Sequence, residues 1–172
     1  MKRICAVFTV MLLIFTAGCR ESEAPVKEKA SAPSVYSSKL EATFKETKMT
    51  AELTKHSNLK YEIQMLSPEI MKPLNLVYEN GVCKVTYDGL TFETDLKRFP
   101  QAEFGALLVQ ALTDISNNVV TVSTDSDGMI KYIGPSNYGD FTLIQDSNTG
   151  LWKEFSIDGA SLKIIFSDYT IN

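Results

Sequence analysis

Few side chains in this sequence could carry out chemistry, and they are not grouped. The chain contains one histidine and three cysteines, which are His56, Cys5, Cys19 and Cys83. His56 lies in the polar stretch LTKHSNLK, which is typical of a surface histidine. A structural zinc site needs about four nitrogen or sulfur ligands, and a catalytic serine needs a base within hydrogen-bonding reach. We therefore expect no enzyme, no cofactor and no metal.

The run Asp125-Ser126-Asp127-Gly128 is the only short cluster of carboxylates that resembles a calcium loop. It lacks the further oxygen donors and the distal glutamate that such a loop uses. We interpret it as a hairpin turn.

Cys19 is the reactive position with the most informative surroundings. Lys2 and Arg3 precede an apolar run from Ile4 to Phe15, and small residues follow before the cysteine. This is the layout of a signal peptide. The run is shorter than the ~20 apolar residues of a membrane-spanning helix, which argues against a permanent span.

The segment Thr16–Cys19 resembles the lipobox of bacterial lipoproteins, in which the cysteine sulfur receives a diacylglycerol and the chain is cut in front of it. The resemblance implies a signal peptide over residues 1–18 and a lipid, palmitate for example, on Cys19. The mature protein would be extracytoplasmic and anchored to the cell membrane, since two acyl chains hold a protein stably. Ordinary secretion without lipid is the alternative.

The residues after Cys19 predict a flexible tether that reaches to residue 36. They are rich in Glu, Lys, Ser, Ala and Pro and show no apolar period, so they cannot bury enough surface to stay ordered. The alternative is an N-terminal helix packed on the domain. Removal of Lys2 and Arg3 makes the formal charge of −4 more negative still. A chain this acidic is not expected to bind nucleic acid.

Apolar residues with a period of two predict antiparallel strands through most of residues 37–172. Leu59, Tyr61, Ile63 and Met65 form one such set, and Cys83, Val85 and Tyr87 form another. Turn signals stand between the sets, at Asn80-Gly81, Asp88-Gly89, Asp127-Gly128, Asn148-Thr149-Gly150 and Asp158-Gly159. Such pairs favour tight hairpins, so sequential strands should be neighbours in a meander.

One segment has a helical period instead. In PQAEFGALLVQALTDISNN the apolar residues fall on one face, which predicts an amphipathic helix from Glu103 to Ser116. About five or six strands precede it and four or five follow. The predicted fold class is therefore α+β and mostly β, with an antiparallel sheet that one helix covers on one face.

This layout resembles the LolA-like superfamily of cell-envelope lipoprotein carriers and related lipoproteins. The segment LSPEIMKPLNLVYENGVCKVTYDGLTFETDLKRFPQAEFGALLVQAL is similar to the central part of its clostridial-type members. FTLIQDSNTGLWKEFSIDGASLKIIFSDY is similar to their closing meander. The resemblance covers roughly residues 40–169. It implies a strongly curved, incomplete barrel whose concave side is closed by helical structure, with an apolar cavity in several members.

Two hypotheses about function follow. In the first, a lipid or another hydrophobic ligand binds between the sheet and the helix. The candidate lining of that cavity or of its lid is Phe104, Leu107, Leu108, Leu112 and Ile115 from the helix, and Tyr61, Ile63, Met65, Val85 and Tyr87 from the strands. In the second, the core is filled and an outer surface docks an envelope protein or enzyme. A cavity of several hundred Å³ would favour the first hypothesis, and an exposed apolar patch would favour the second.

Overall fold

The computed structural model describes residues 32–57, 59–94 and 100–171. The predicted signal peptide, Cys19 and most of the predicted tether lie outside these residues. Within the described part of the chain, no helix is both long and apolar enough to span a membrane.

Eleven antiparallel strands and one α-helix make up most of the described structure. The strands are β1 (Tyr36–Phe44), β2 (Thr47–Ser57), β3 (Lys60–Ser67), β4 (Leu74–Glu79), β5 (Val82–Tyr87), β6 (Leu90–Thr94), β7 (Thr121–Thr124), β8 (Met129–Ser136), β9 (Gly139–Asp146), β10 (Trp152–Ile157) and β11 (Leu162–Ile171). The helix α1 (Pro100–Ser116) separates β6 from β7, and two 3₁₀ helices span Glu69–Met71 and Asp158–Ala160. The predicted order of strands, helix and strands is confirmed.

All the strands belong to one sheet, in the order β6-β5-β4-β3-β2-β1-β11-β10-β9-β8-β7. Each half of the chain is a meander, and the halves join where β1 pairs with β11, with Leu40 opposite Phe166. Among the described residues β6 and β7 are the two edges, and the sheet is not closed. The mostly β fold with a single open antiparallel sheet is therefore as predicted.

Alternate residues of the strands turn toward a common core. Leu40, Leu53, Ile63 and Leu76 have no solvent exposure. Ile63 of β3 stands opposite both Leu53 of β2 and Leu76 of β4, and Leu40 of β1 lies two residues from the position opposite Leu53. We call the side of the sheet that carries these residues the inner face. Leu59 does not follow the predicted alternation, because it stands outside the strands at the β2–β3 connection and is 54% exposed.

The Asn-Gly and Asp-Gly pairs at two predicted hairpins form tight turns. Asn80 and Gly81 have φ angles of 52° and 81°, and Asp88 and Gly89 have 48° and 81°. At Asp158-Gly159 the strands β10 and β11 pair as antiparallel neighbours as predicted, but a 3₁₀ helix over Asp158–Ala160 connects them instead of the predicted tight turn.

The first strand begins earlier than the predicted domain boundary. Tyr36, assigned to the tether from the sequence, is the first residue of β1 and is completely buried. Just upstream, the carbonyl oxygen of Pro33 accepts a hydrogen bond from the Lys55 ammonium at 3.4 Å. Ala32 also packs against the core, so the described residues before Tyr36 contact the folded domain.

The helix begins three residues before the predicted start and ends at the predicted residue. Its buried side chains, Phe104, Leu108, Ala111 and Leu112, pack into the same core as the inner face. At Gly105 a Cβ atom would lie 2.7 Å from the Tyr78 hydroxyl oxygen and 2.8 Å from Ile63 Cδ1. The helix therefore approaches β3 and β4 so closely that only glycine fits there without displacing a neighbour.

Candidate functional site

The predicted lining residues lie mostly together in the core between helix and sheet. Seven of them are buried: Phe104, Leu108, Leu112, Tyr61, Ile63, Met65 and Val85. Leu107 and Ile115 are partly buried against the same core. Tyr87 lies apart from this group: it is 38% exposed, and its hydroxyl donates to the carbonyl oxygen of Ile70 at 3.1 Å.

A cleft of about 410 Å³ opens along one flank of the helix. Leu107, Gln110, Ala111 and Asp114 form its helical wall, and the β8–β9 hairpin forms the opposite wall with Pro135, Ser136, Asn137 and Phe141. Gly105 and its contacts with β3 and β4 lie on the other flank. The helix therefore packs closely on one side and leaves open space on the other.

The cleft combines apolar and polar walls. Ala111 and Phe141 are buried in the core, and Leu107 packs against it. The polar groups include the side chains of Gln110 and Asp114, which are joined by a hydrogen bond of 2.8 Å from Gln110 Nε2 to Asp114 Oδ1. Half of the eight lining residues have polar side chains, namely Gln110, Asp114, Ser136 and Asn137, so the cleft is more polar than the usual small-molecule site.

Glu103 ties the first part of the helix to two hairpin turns. Its carboxylate accepts a hydrogen bond from the Tyr138 hydroxyl of the β8–β9 turn and pairs with the Lys45 ammonium of the β1–β2 turn at 3.2 Å. The hydrogen bond to Glu103, together with the negative charge of that carboxylate, raises the pKa of Tyr138. Lys45 is more than half exposed, so the ion pair adds little stability. The hydrogen bond and the ion pair together connect the helix to both turns.

A second cavity of about 490 Å³ lies across β11, β1 and β2 and is lined partly by residues that alternate with the core positions. Lys48, Lys163, Thr43 and Thr50 are among its lining residues, and none of them belongs to the core. It is therefore separate from the predicted site.

The inner face also carries polar groups that the sequence analysis missed. The hydroxyl oxygens of Tyr36 and Ser38 are buried, and neither has a hydrogen-bond partner among the residues that the structure describes. Burial lowers the pKa of Lys55, which stands opposite Tyr36 across the β1–β2 ladder. The signal that could have located this cluster is the period of two, which continues from Leu40 back through Ser38 to Tyr36.

The side chains that could act in catalysis or bind a metal lie in surface contacts, in the core or in a turn. His56 Nε2 lies 2.9 Å from Glu62 Oε2 on the surface, and this contact holds the pKa of Glu62 below its usual value. Cys83 is a free, buried thiol whose pKa is raised to about 11 by burial. Asp125 caps its predicted turn, because Oδ1 accepts from the backbone N–H groups of Asp127 and Met129. Among the described residues no group of three or more potential ligands could hold a metal ion.

No family model matches this chain, and no curated protein matches it. Among solved structures, it is similar to a LolA superfamily protein. That protein is NE2245 from Nitrosomonas europaea, known from a crystal structure. The two chains are 8% identical and superpose with a TM-score of 0.43 over 84% of this chain and 88% of the other. The match bears the superfamily name that the sequence resemblance predicted.

Proposed function

We propose that this protein is a non-catalytic, lipid-anchored module of the cell envelope that binds a lipid or another hydrophobic ligand beside the helix. The single observation that carries the proposal is the cleft between α1 and the β8–β9 hairpin, which leads from solvent to the apolar core. Its volume of about 410 Å³ falls within the range of about 300–1,000 Å³ that is usual for ligand sites.

We propose also that the sheet curves around the helix, so that α1 covers the concave side of the sheet. The helix contacts both β4 and β8, which are seven positions apart in the strand order. In a flat sheet that separation would be about 33 Å, which is longer than the roughly 26 Å of a 17-residue helix. Within a single turn of the helix, Gly105 approaches Tyr78 of β4 and Glu103 accepts a hydrogen bond from Tyr138 of the β8–β9 turn. One turn of the helix therefore reaches two distant parts of the sheet, which supports a strongly curved sheet.

Substitution in the cleft tests the proposed site with a neutral fluorescent probe, N-phenyl-1-naphthylamine. Leu107→Gln should weaken binding of the probe about tenfold, because loss of roughly 1.4 kcal/mol of apolar contact corresponds to that factor. The measurement is a fluorescence titration of the purified, unlipidated chain.

Leu59→Gln is the matched control for this substitution. Leu59 is also a leucine with an exposed side chain, at 54% exposure, but it stands at the β2–β3 connection and does not line the cleft. Its replacement should leave the affinity for the probe unchanged. Equal affinities of wild type and Leu107→Gln would contradict the proposed site.

A docking scaffold for an envelope protein is the second candidate, and one observation favours it. Ile70 and Leu90 are 75% and 72% exposed, and Tyr87, opposite Leu90 in the β5–β6 ladder, donates a hydrogen bond to Ile70. Exposed apolar groups of this kind often mark protein-binding surfaces. Native mass spectrometry of the protein isolated from its host separates the candidates: bound lipid supports the ligand-binding module, and a bound protein supports the scaffold.

The membrane anchor is tested at Cys19. Cys19→Ala should abolish lipid attachment and leave the precursor uncut, because the modification and the cleavage both depend on this thiol in the lipoproteins that the segment resembles. Metabolic labelling with a fatty-acid analogue measures the first effect, and the mobility of the protein on a gel measures the second. Equal labelling of wild type and variant would exclude Cys19 as the anchor.

A further inference from the structure

We infer that the cleft selects single-chain amphiphiles whose head group donates hydrogen bonds and carries no negative charge. This inference rests on the proposed function and adds the chemical class of the ligand. It follows from the order of the side chains along the cleft, from the charge of Asp114 and from the volume of the space.

The helical wall of the cleft alternates between apolar and polar residues, with Leu107 at one end and the carboxylate of Asp114 at the other. Leu107, Gln110, Ala111 and Asp114 are spaced at three and four residues, so they form one stripe along the flank of the helix. The apolar end is at Leu107, and the carboxylate is two turns away at Asp114. An amphiphile that lies along this stripe would place its chain at Leu107 and its head group at Asp114.

Asp114 is the only charged residue among the described residues that line the cleft. One carboxylate oxygen, Oδ1, accepts a hydrogen bond from Gln110, and no hydrogen bond to Oδ2 occurs within the described part of the chain. An ionised carboxylate only accepts hydrogen bonds and has about four acceptor positions, so it retains capacity for donors of a ligand. An ammonium or hydroxyl head group supplies such donors.

An anionic head group would be unfavourable at the same place. Two negative charges at contact distance repel each other, and the repulsion is stronger beside apolar walls than in bulk water. Glu103, nearer the apolar end, has its charge compensated by Lys45. No corresponding cation lines the cleft near Asp114 in the described residues, so a carboxylate or phosphate head group would meet an uncompensated charge of its own sign.

The volume of the cleft favours one chain over two. About 410 Å³ is near the lower end of the range for ligand sites, which is about 300–1,000 Å³. The tight packing of Gly105 against Tyr78 and Ile63 prevents the space from extending beneath the opposite flank of the helix without movement of the core.

The test uses four amphiphiles with the same dodecyl or dodecanoyl chain. Dodecylamine carries a cation that donates hydrogen bonds, 1-monododecanoylglycerol carries neutral hydroxyl donors, dodecyltrimethylammonium carries a cation without donors, and dodecanoate carries an anion. Each displaces N-phenyl-1-naphthylamine from the purified, unlipidated chain below its micellar concentration. We expect the amine and the glycerol ester to bind at least about tenfold more tightly than dodecanoate, and the trimethylammonium compound to bind less tightly than the amine.

Asp114→Asn removes the charge with little change of shape. It should weaken binding of the amine about tenfold, leave the glycerol ester within about threefold and strengthen binding of dodecanoate. Asp88→Asn is the matched control, because Asp88 lies in the β5–β6 turn with a φ of 48°, a conformation that asparagine adopts readily. It should change none of the affinities.

The outcomes distinguish the inference from the proposed function. If dodecanoate binds wild type as tightly as the amine, or if Asp114→Asn leaves every affinity unchanged, the inferred head-group selectivity is wrong although the cleft still binds a chain. If neither the naphthylamine probe nor any amphiphile binds wild type, the proposed hydrophobic site itself is wrong.

Discussion

Leu108→Ala is expected to lower the free energy of unfolding by about 2–5 kcal/mol, because it removes a fully packed leucine from the core. Leu108 lies on the underside of α1 with no exposed surface, in one cluster with Phe104 and with the strands of the inner face. The helix depends on this packing, since Gly105 within it lowers its intrinsic stability by roughly 1 kcal/mol relative to alanine.

Urea denaturation followed by circular dichroism measures this loss. Leu90→Ala is the control, because Leu90 is 72% exposed and its truncation should cost less than about 0.5 kcal/mol. If Leu108 bordered a space filled by ligand, its truncation would cost clearly less and would change the affinity for the naphthylamine probe. A Leu108→Ala protein unchanged in both stability and binding would show that the helix does not cover the sheet.

Gly159→Ala is expected to destabilise the protein by about 3 kcal/mol or more, at or above the upper end of the usual cost of overpacking. A Cβ atom on Gly159 would lie 1.9 Å from the carbonyl oxygen of Tyr138. The obstacle is backbone, so no side-chain rotation can relieve the clash. The β8–β9 turn must move away from the 3₁₀ helix that connects β10 and β11.

The movement should also affect the helix, because Tyr138 is the residue of the β8–β9 turn that donates a hydrogen bond to Glu103. We expect Gly159→Ala to lower the midpoint of thermal unfolding and to weaken binding of the naphthylamine probe, since the same hairpin forms one wall of the cleft. Asp158→Ala alters the same 3₁₀ helix without a clash and should have a much smaller effect. Wild-type stability of Gly159→Ala would mean that the two connections are not in contact.

The strand and helix pattern was predictable because it depends on periods within short segments. The alternation of Tyr61, Ile63 and Met65 gave the inner face of β3, and the helical spacing of Phe104, Leu108 and Leu112 gave the buried side of α1. Asn80-Gly81 and Asp88-Gly89 were recognisable because the positive φ angles of their turns suit these residues. Each signal arises from neighbours in sequence, so a single segment contains it.

The turn at Lys45-Glu46 had no such signal. These residues adopt φ angles of 48° and 70° between β1 and β2, although neither is glycine or asparagine. Contacts with distant parts of the chain accompany this conformation, since Lys45 N–H donates to the Ser161 carbonyl oxygen and its ammonium pairs with Glu103. Tyr87 lies outside the core although it follows the period of two, because that period does not show where the core ends along a strand.

The sequence by itself determined the mostly β composition, the single helix, the meander order and the buried face of most elements, since burial requires apolar residues at the period of each element. Only the tertiary structure decided which remote segments meet. The cleft joins Leu107 and Asp114 to Pro135 and Phe141, and neither wall has a pattern that specifies the other. The close approach at Gly159 likewise depends on how two connections pack, because the absence of a side chain matters only once a partner lies within contact distance.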